Sequence, residues 1–171
     1  MKKVVFFSAL FLTLAVCGAW TALHNGSDPN CVSPVEGVKA DSYVNLGLPS
    51  GTMWKTGNEF GLFDYEAATT RFEGQLPTAT QFMELWRKCK WVWVSNGYRV
   101  TGPNGNSIFL PLAGKRDCDG TLQNNTLEGY YWSSTPNGDG AERLFLAEGH
   151  VGVCKDSKCS ALCVRLVKRA R

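Results

Sequence analysis

WVWVSNGYRVTGPNGNSIFL, residues 91–110, contains three short strand-like runs separated by two turn segments. The runs 91–94, 98–101 and 107–110 are rich in β-branched and aromatic residues, which favour extended backbone. Asn96-Gly97 and Asn104-Gly105 stand in the turn segments, and Asn-Gly pairs favour the positive φ angles of tight hairpins. The stretch therefore predicts three antiparallel strands in chain order.

Similar runs occur on both sides of this stretch, with a third Asn-Gly pair at Asn137-Gly138. The further predicted strands are residues 43–46, 52–55, 130–133, 143–147 and 162–167. Short strands at such spacing indicate antiparallel sheets with many turns.

One segment has helical periodicity instead. Thr78 and Gln81 form a predicted capping box after Pro77, in which the threonine side chain and the glutamine side chain each bond to the other's backbone N–H. The apolar stripe that follows is Phe82, Leu85, Trp86 and Cys89, at helical spacing. We predict a helix whose stripe lies in the core, and a second helix over residues 64–72. Strands with non-local pairing and one or two helices make an α+β domain.

The N-terminus has the pattern of an export signal. Residues 1–19 combine a basic start, an apolar run too short to span a bilayer, and small residues at Gly18-Ala19. Cleavage after Ala19 would release a secreted protein, whereas Leu14-Ala15-Val16-Cys17 resembles a lipobox in which Cys17 is acylated and anchors the chain to a membrane. Both routes stay open. We assign residues 20–34 to a linker, 35–168 to the domain and 169–171 to a basic, solvated tail.

Exported chains with an even number of cysteines usually form disulfides. Cleavage removes Cys17 and lipidation would block it, so both routes leave six of the seven cysteines for disulfides. The disulfide candidates are Cys31, Cys89, Cys118, Cys154, Cys159 and Cys163. Residues 155–158 are hydrophilic, so we predict a hairpin tip there and a geometrically reasonable bond between Cys154 and Cys159.

Composition and motifs exclude several classes of function. The 18 Lys and Arg against 15 Asp and Glu leave a net charge of only +3, which does not indicate nucleic-acid binding. The two histidines, His24 and His150, do not form a zinc pattern, and we find no nucleophile elbow and no phosphate-binding glycine loop. We expect no catalytic residues and no cofactor.

A loop at Asp117 and Asp119 leaves one alternative open. Asp-x-Asp followed by Gly120 is compatible with the start of a calcium loop, because hard cations take carboxylate oxygens at alternating positions. The residues after it lack the bidentate glutamate of a helix-loop-helix site. Asp117 and Asp119 are therefore candidate ligand-binding residues, with calcium as the open cofactor.

Aromatic residues are the remaining indication of function. Trp91 and Trp93 fall on one face of their predicted strand, and residues 130–132 add two tyrosines and a tryptophan. Such rings pack in cores more often than they bind ligands, but sugar rings stack on aromatic faces. We take Trp93 and Tyr131 as candidate ligand-binding aromatics.

The order of these motifs resembles the Fibrobacter succinogenes major paralogous domain, a family of exported proteins common in the Bacteroidetes. The matching stretches are VNLGLPSGTMW (44–54), LPT (76–78), FMEL (82–85), CKWVW (89–93), YRVTGPNGNSIFLP (98–111), GYYWSST (129–135) and VRLV (164–167). The chain departs from the family in a short segment between Trp54 and Leu76, in its extra cysteines 154, 159 and 163, and in lacking the calcium motifs of sugar-binding lectins.

The resemblance implies a C-type-lectin-like α+β fold, in which the terminal strand pairs with the first and irregular loops lie over a small sheet. It implies a location outside the cytoplasm, either secreted or in the cell envelope. It implies no enzymatic activity, since fold does not imply function. We expect a non-catalytic binding module for a glycan or a surface protein, without nucleic-acid partners and with membrane contact only through a lipid anchor. The alternatives are a structural subunit of an envelope or fimbrial assembly, and a copper oxidase of the formylglycine-generating kind using Cys159 and Cys163.

Overall fold

A computed structural model describes residues 42–123 and 126–169 of the chain. The predicted signal, Cys17, the linker 20–34, Cys31 and the last two residues lie outside that part. The described part folds into small antiparallel sheets and two helices, so the predicted α+β class is confirmed. The strands are β1 (Tyr43–Asn45), β2 (Thr52–Lys55), β3 (Lys90–Trp93), β4 (Gly97–Thr101), β5 (Ser107–Pro111), β6 (Lys115–Arg116), β7 (Leu122–Gln123), β8 (Glu128–Asn137), β9 (Gly140–Ala147), β10 (His150–Ser157) and β11 (Val167–Arg169).

Both predicted helices are present. Helix α2 (Ala79–Lys88) begins with the predicted capping box, in which the Gln81 N–H donates to Thr78 Oγ1 and the Thr78 N–H donates to Gln81 Oε1. Helix α1 (Tyr65–Arg71) is capped by Asp64, whose carboxylate accepts from the N–H of Ala67. Neither helix of the described ranges is long and apolar enough to cross a bilayer.

The central stretch forms the predicted sheet of three strands, in the order β3-β4-β5. Its first turn differs from the prediction, because Ser95 has the positive φ of 52° and Gly97 belongs to β4. Gly97 is required for a different reason: a Cβ there would lie 2.4 Å from the Leu110 carbonyl oxygen. The third Asn-Gly pair behaves as predicted, since Gly138 has a φ of 60° in the tight turn between β8 and β9.

A second sheet has the order β10-β9-β8 and divides the core. Leu144 and Leu146 of β9 face a cluster that includes Phe82 and Leu85, whereas Ala141 faces a second cluster under α1. This alternation follows from the period of two along a strand. Strand β10 was not among the strands predicted from sequence, and β8 extends well beyond residues 130–133.

The C-terminal strand, predicted at residues 162–167, was placed too early in the chain. Residues 161–163 make only isolated bridges, and β11 starts at Val167. Strand β11 pairs with β2 in the order β1-β2-β11, so it joins the N-terminal sheet beside the second strand and not the first. Arg169, assigned to a solvated tail, is the last residue of β11.

The disulfide pairing predicted across residues 155–158 is wrong. Cys118 and Cys159 are bonded, with Cα atoms 5.0 Å apart, and Cys163 is completely buried and also disulfide-bonded. Cys154 is an exposed free thiol, because residues 155–157 continue β10 and the turn begins only at Lys158, so no hairpin tip brings Cys154 and Cys159 together. Cys89 is free as well.

Candidate functional site

A groove of about 750 Å³ lies between α2, the β3–β4 hairpin and the start of β10. We call it the aromatic groove. Its lining residues are Trp86, Trp91, Trp93, Tyr98 and residues 149–153. Three of the six tryptophans in the chain therefore meet at one surface feature.

Strands β3 and β4 bring three of the rings together. Trp93 pairs with Tyr98 across the two strands and Trp91 pairs with Val100, so all four side chains lie on one face. The Tyr98 ring makes edge-to-face contacts with both tryptophans, with centroids 5.6 Å from Trp91 and 5.2 Å from Trp93. Edge-to-face geometry is a favoured arrangement of aromatic rings. Trp91 and Trp93 are half-buried, so their faces are partly open to the groove.

Two hydrogen bonds hold this ring cluster in place. Trp91 Nε1 donates to the Leu85 carbonyl oxygen at 3.2 Å, which ties β3 to α2. Tyr98 Oη donates to the Ala147 carbonyl oxygen at 2.8 Å, which ties β4 to the end of β9. The polar atoms of these two rings are therefore used internally, and because Tyr98 is buried, the partly open face of Trp91 is what remains available.

Helix α2 supplies the most exposed ring. Phe82 and Leu85 are completely buried, whereas Trp86 is 44% exposed and stands at the rim of the groove. The apolar stripe predicted from sequence is thus correct for its first two members and wrong for Trp86.

The opposite wall is the beginning of β10, an edge strand within the described residues. Gly149 has a φ of 72° in the turn between β9 and β10, a conformation that favours glycine. A Cβ at Gly152 would meet nothing within 4 Å, so this part of the edge is open. His150 lies between the two glycines, exposed, with its ring centroid 5.8 Å from that of Phe145.

The two aromatic candidates chosen from sequence have different positions. Trp93 lies in the groove, but Tyr131 is completely buried, and its hydroxyl donates to the Pro111 carbonyl oxygen at 2.6 Å. Burial raises the pKa of Tyr131 to about 12. Tyr131 is a core residue with no surface to offer a ligand.

The two acidic candidates close a turn. The Asp119 carboxylate accepts from the N–H of Thr121 at 2.8 Å, and this bond holds the pKa of Asp119 below its usual value. Asp117 pairs with Lys115 at 3.0 Å. Among the described residues no group of three His, Cys, Asp or Glu side chains is placed to hold a metal ion.

The cysteine pair considered for copper has no free thiolate, because Cys159 is bonded to Cys118 and Cys163 is also in a disulfide. The remaining half-buried thiol is Cys89 at the end of α2. Burial, with a smaller contribution from Glu84, raises its pKa to about 11.

Sequence reasoning missed Trp86 and residues 149–153 as parts of one site. Trp86 was assigned to the core because it continues the helical stripe, yet Phe82, Leu85 and Cys89 already form a stripe without it. His150 was considered as a zinc ligand and not as part of a binding site. No sequence signal brings α2 and β10 together, since their contact depends on the packing of the sheet.

No protein-family model, curated protein or solved structure matches this chain. The resemblance described from the sequence motifs therefore remains a prediction.

Proposed function

We propose that this chain is an exported, non-catalytic binding module whose ligand, a glycan or a surface protein, binds in the aromatic groove. The observation that supports this proposal is the convergence of Trp86, Trp91 and Trp93 on one open groove. Rigid side chains with large apolar faces and few rotamers favour binding, because little conformational entropy is lost when a ligand covers them.

We further propose that the domain is C-type-lectin-like. In support, β11 returns to the N-terminal sheet and two helices flank small antiparallel sheets. In this proposal the sheets form a rigid support and the groove is the binding surface carried on it. The proposed export is supported by the residues 1–19 pattern and by the Cys118–Cys159 disulfide, since such bonds persist outside reducing compartments.

The proposal is tested by screening the exported full chain against arrayed glycans and displayed peptides. We expect saturable binding to a member of at least one panel, and loss of that binding in Trp86→Ala. Val92→Ala is the matched control, because Val92 is 41% exposed on the same strand as Trp91 and Trp93 but on its opposite face. Binding that survives Trp86→Ala in a folded variant, or no saturable binding in either panel, contradicts the proposal.

A further inference from the structure

We infer that the ligand of the aromatic groove is a neutral glycan, held by stacking on the tryptophan faces and by hydrogen bonds to the open edge of β10. This inference rests on the proposed function and names the chemical class of the ligand. Four features of the groove carry it: its lack of charge, its ring faces, its polar edge and the short length of that edge.

The groove has no acidic side chain and, apart from His150, no basic one. None of the described lining residues is an aspartate, a glutamate, a lysine or an arginine. A ligand with phosphate, sulfate or carboxylate groups would lose solvation in the groove and find no ion pair to replace it. Charge complementarity therefore selects a ligand without formal charge.

The ring faces suit a sugar ring. Trp86 presents a ring that is 44% exposed at the rim, and Trp93 presents a half-buried ring within the groove. The face of an aromatic ring is negatively polarised, so it attracts the weakly positive C–H groups that cover one side of a pyranose. A sugar ring laid on Trp86 or Trp93 buries its apolar side and leaves its hydroxyl groups at the periphery.

The wall opposite the rings supplies polar partners for those hydroxyl groups. Strand β10 is an edge of its sheet, so some of the backbone N–H and C=O groups along 150–153 point away from β9, and no other strand of the described residues pairs with them. Gly149 and Gly152 leave this backbone accessible. A hydroxyl group both donates and accepts, so it can bond either to an N–H or to a C=O of the edge.

An extended peptide fits the same edge less well. Of strand β10 and the turn before it, only residues 149–153 line the groove, which at about 3.3 Å per residue gives roughly 16 Å of edge. Further along β10, Lys155 is exposed, and lysine on an edge strand opposes the addition of another strand. The open edge is therefore short and is followed by a residue that disfavours strand pairing.

The test is a titration of the exported full chain, monitored by tryptophan fluorescence. The probes are neutral oligosaccharides of glucose, mannose, xylose and N-acetylglucosamine, with oligogalacturonate as the acidic probe and a displayed peptide library as the third panel. We expect saturable binding of at least one neutral oligosaccharide, unchanged by EDTA and by a rise in salt from about 0.05 to about 0.5 M, because no ion pair is formed.

Two variants link the binding to the groove. Trp86→Ala is expected to weaken binding about tenfold or more, since stacking on one ring is lost, whereas Val92→Ala leaves it unchanged within about twofold. Binding of peptides alone, or of oligogalacturonate alone with strong salt dependence, overturns the neutral glycan while the proposed binding function stands. Neutral glycan binding that Trp86→Ala leaves intact overturns the groove as the site, and no binding in any panel overturns both proposals.

Discussion

Arg165 Nε donates to Asn58 Oδ1 at 2.7 Å, a hydrogen bond between residues 107 positions apart in the chain. Arg165 is completely buried. Its guanidinium also donates to the carbonyl oxygens of Lys55, Thr56 and Phe109 at 2.7–2.8 Å. A single side chain near the C-terminus therefore joins the chain after β2 to strand β5.

Removal of this guanidinium should destabilise the whole domain. We expect Arg165→Ala to lower the free energy of unfolding by about 3–5 kcal/mol, because several buried carbonyl oxygens lose their donor at once. Arg165→Lys keeps the positive charge but loses the planar guanidinium with its several donors. Its free energy of unfolding should therefore lie between those of Arg165→Ala and the unaltered protein. Urea unfolding measures the difference.

The control for Arg165 is Arg99→Ala, since Arg99 is exposed on β4. Surface substitutions usually change stability by about 0.5 kcal/mol or less. A loss in Arg165→Ala no larger than that of the control would contradict a structural role for the buried guanidinium.

The lowered pKa of Asp156 makes the free energy of unfolding depend on pH in the acid range. Its burial opposes ionisation, but the N–H of Ser157 and the charges of Arg143 and Lys115 outweigh burial and hold the pKa of Asp156 below its usual value. A carboxyl with a lowered folded-state pKa stabilises the fold above the unfolded pKa of about 3.9, and that stability is lost as the pH falls through the folded-state value. We therefore expect Asp156→Asn to be less stable at pH 7 and to lose less stability below about pH 4.

Urea midpoints across this pH range provide the measurement for Asp156. Asp139→Asn is the control, because the carboxylate of Asp139 pairs with Lys155 at an exposed site where water and salt screen the interaction. If Asp156→Asn and the unaltered protein lose stability in parallel as the pH falls, the ionised Asp156 is not the source of the acid sensitivity.

Two buried tryptophans differ in one hydrogen bond. Trp132 Nε1 donates to the Phe63 carbonyl oxygen at 2.8 Å, whereas Trp54 Nε1 has no acceptor within the described residues. Both side chains are completely buried. We expect Trp132→Phe to cost about 1 kcal/mol more than Trp54→Phe, because only Trp132 gives up a hydrogen bond along with the ring volume. The free energies of unfolding are measured by chemical denaturation. If both variants lose the same amount, the loss comes from packing alone and the hydrogen bond of Trp132 contributes nothing.

The Cys118–Cys159 bond should stabilise the domain by restricting the unfolded chain. Its two ends are 41 residues apart, for which the chain-entropy relation predicts about 4 kcal/mol. We expect the double variant, in which both Cys118 and Cys159 are replaced by serine, to have a free energy of unfolding lower by up to this amount. Cys154→Ser is the matched control, since Cys154 is a free, exposed thiol and its loss should have little effect. A destabilisation equal to that of the control would contradict the prediction.

The local elements of this protein could be predicted because their causes are local. The capping box of Thr78 and Gln81 depends on residues three apart, and the turn at Asn137-Gly138 depends on the backbone freedom of one glycine. Alternation within residues 91–110 places Trp91 and Trp93 on one face whatever the rest of the chain does. These features predicted the α+β class and the three strands of the β3-β4-β5 sheet.

The tertiary structure alone decided which surfaces meet. The exposure of Trp86 depends on how α2 packs against β10, and the burial of Tyr131 depends on how β8 lies within its sheet. The pairing of Cys159 with Cys118 and not with Cys154 follows from the continuation of β10 through residue 157. Each of these depends on contacts between residues distant in the chain, and side-chain periodicity records only which face a residue occupies, not what lies opposite that face.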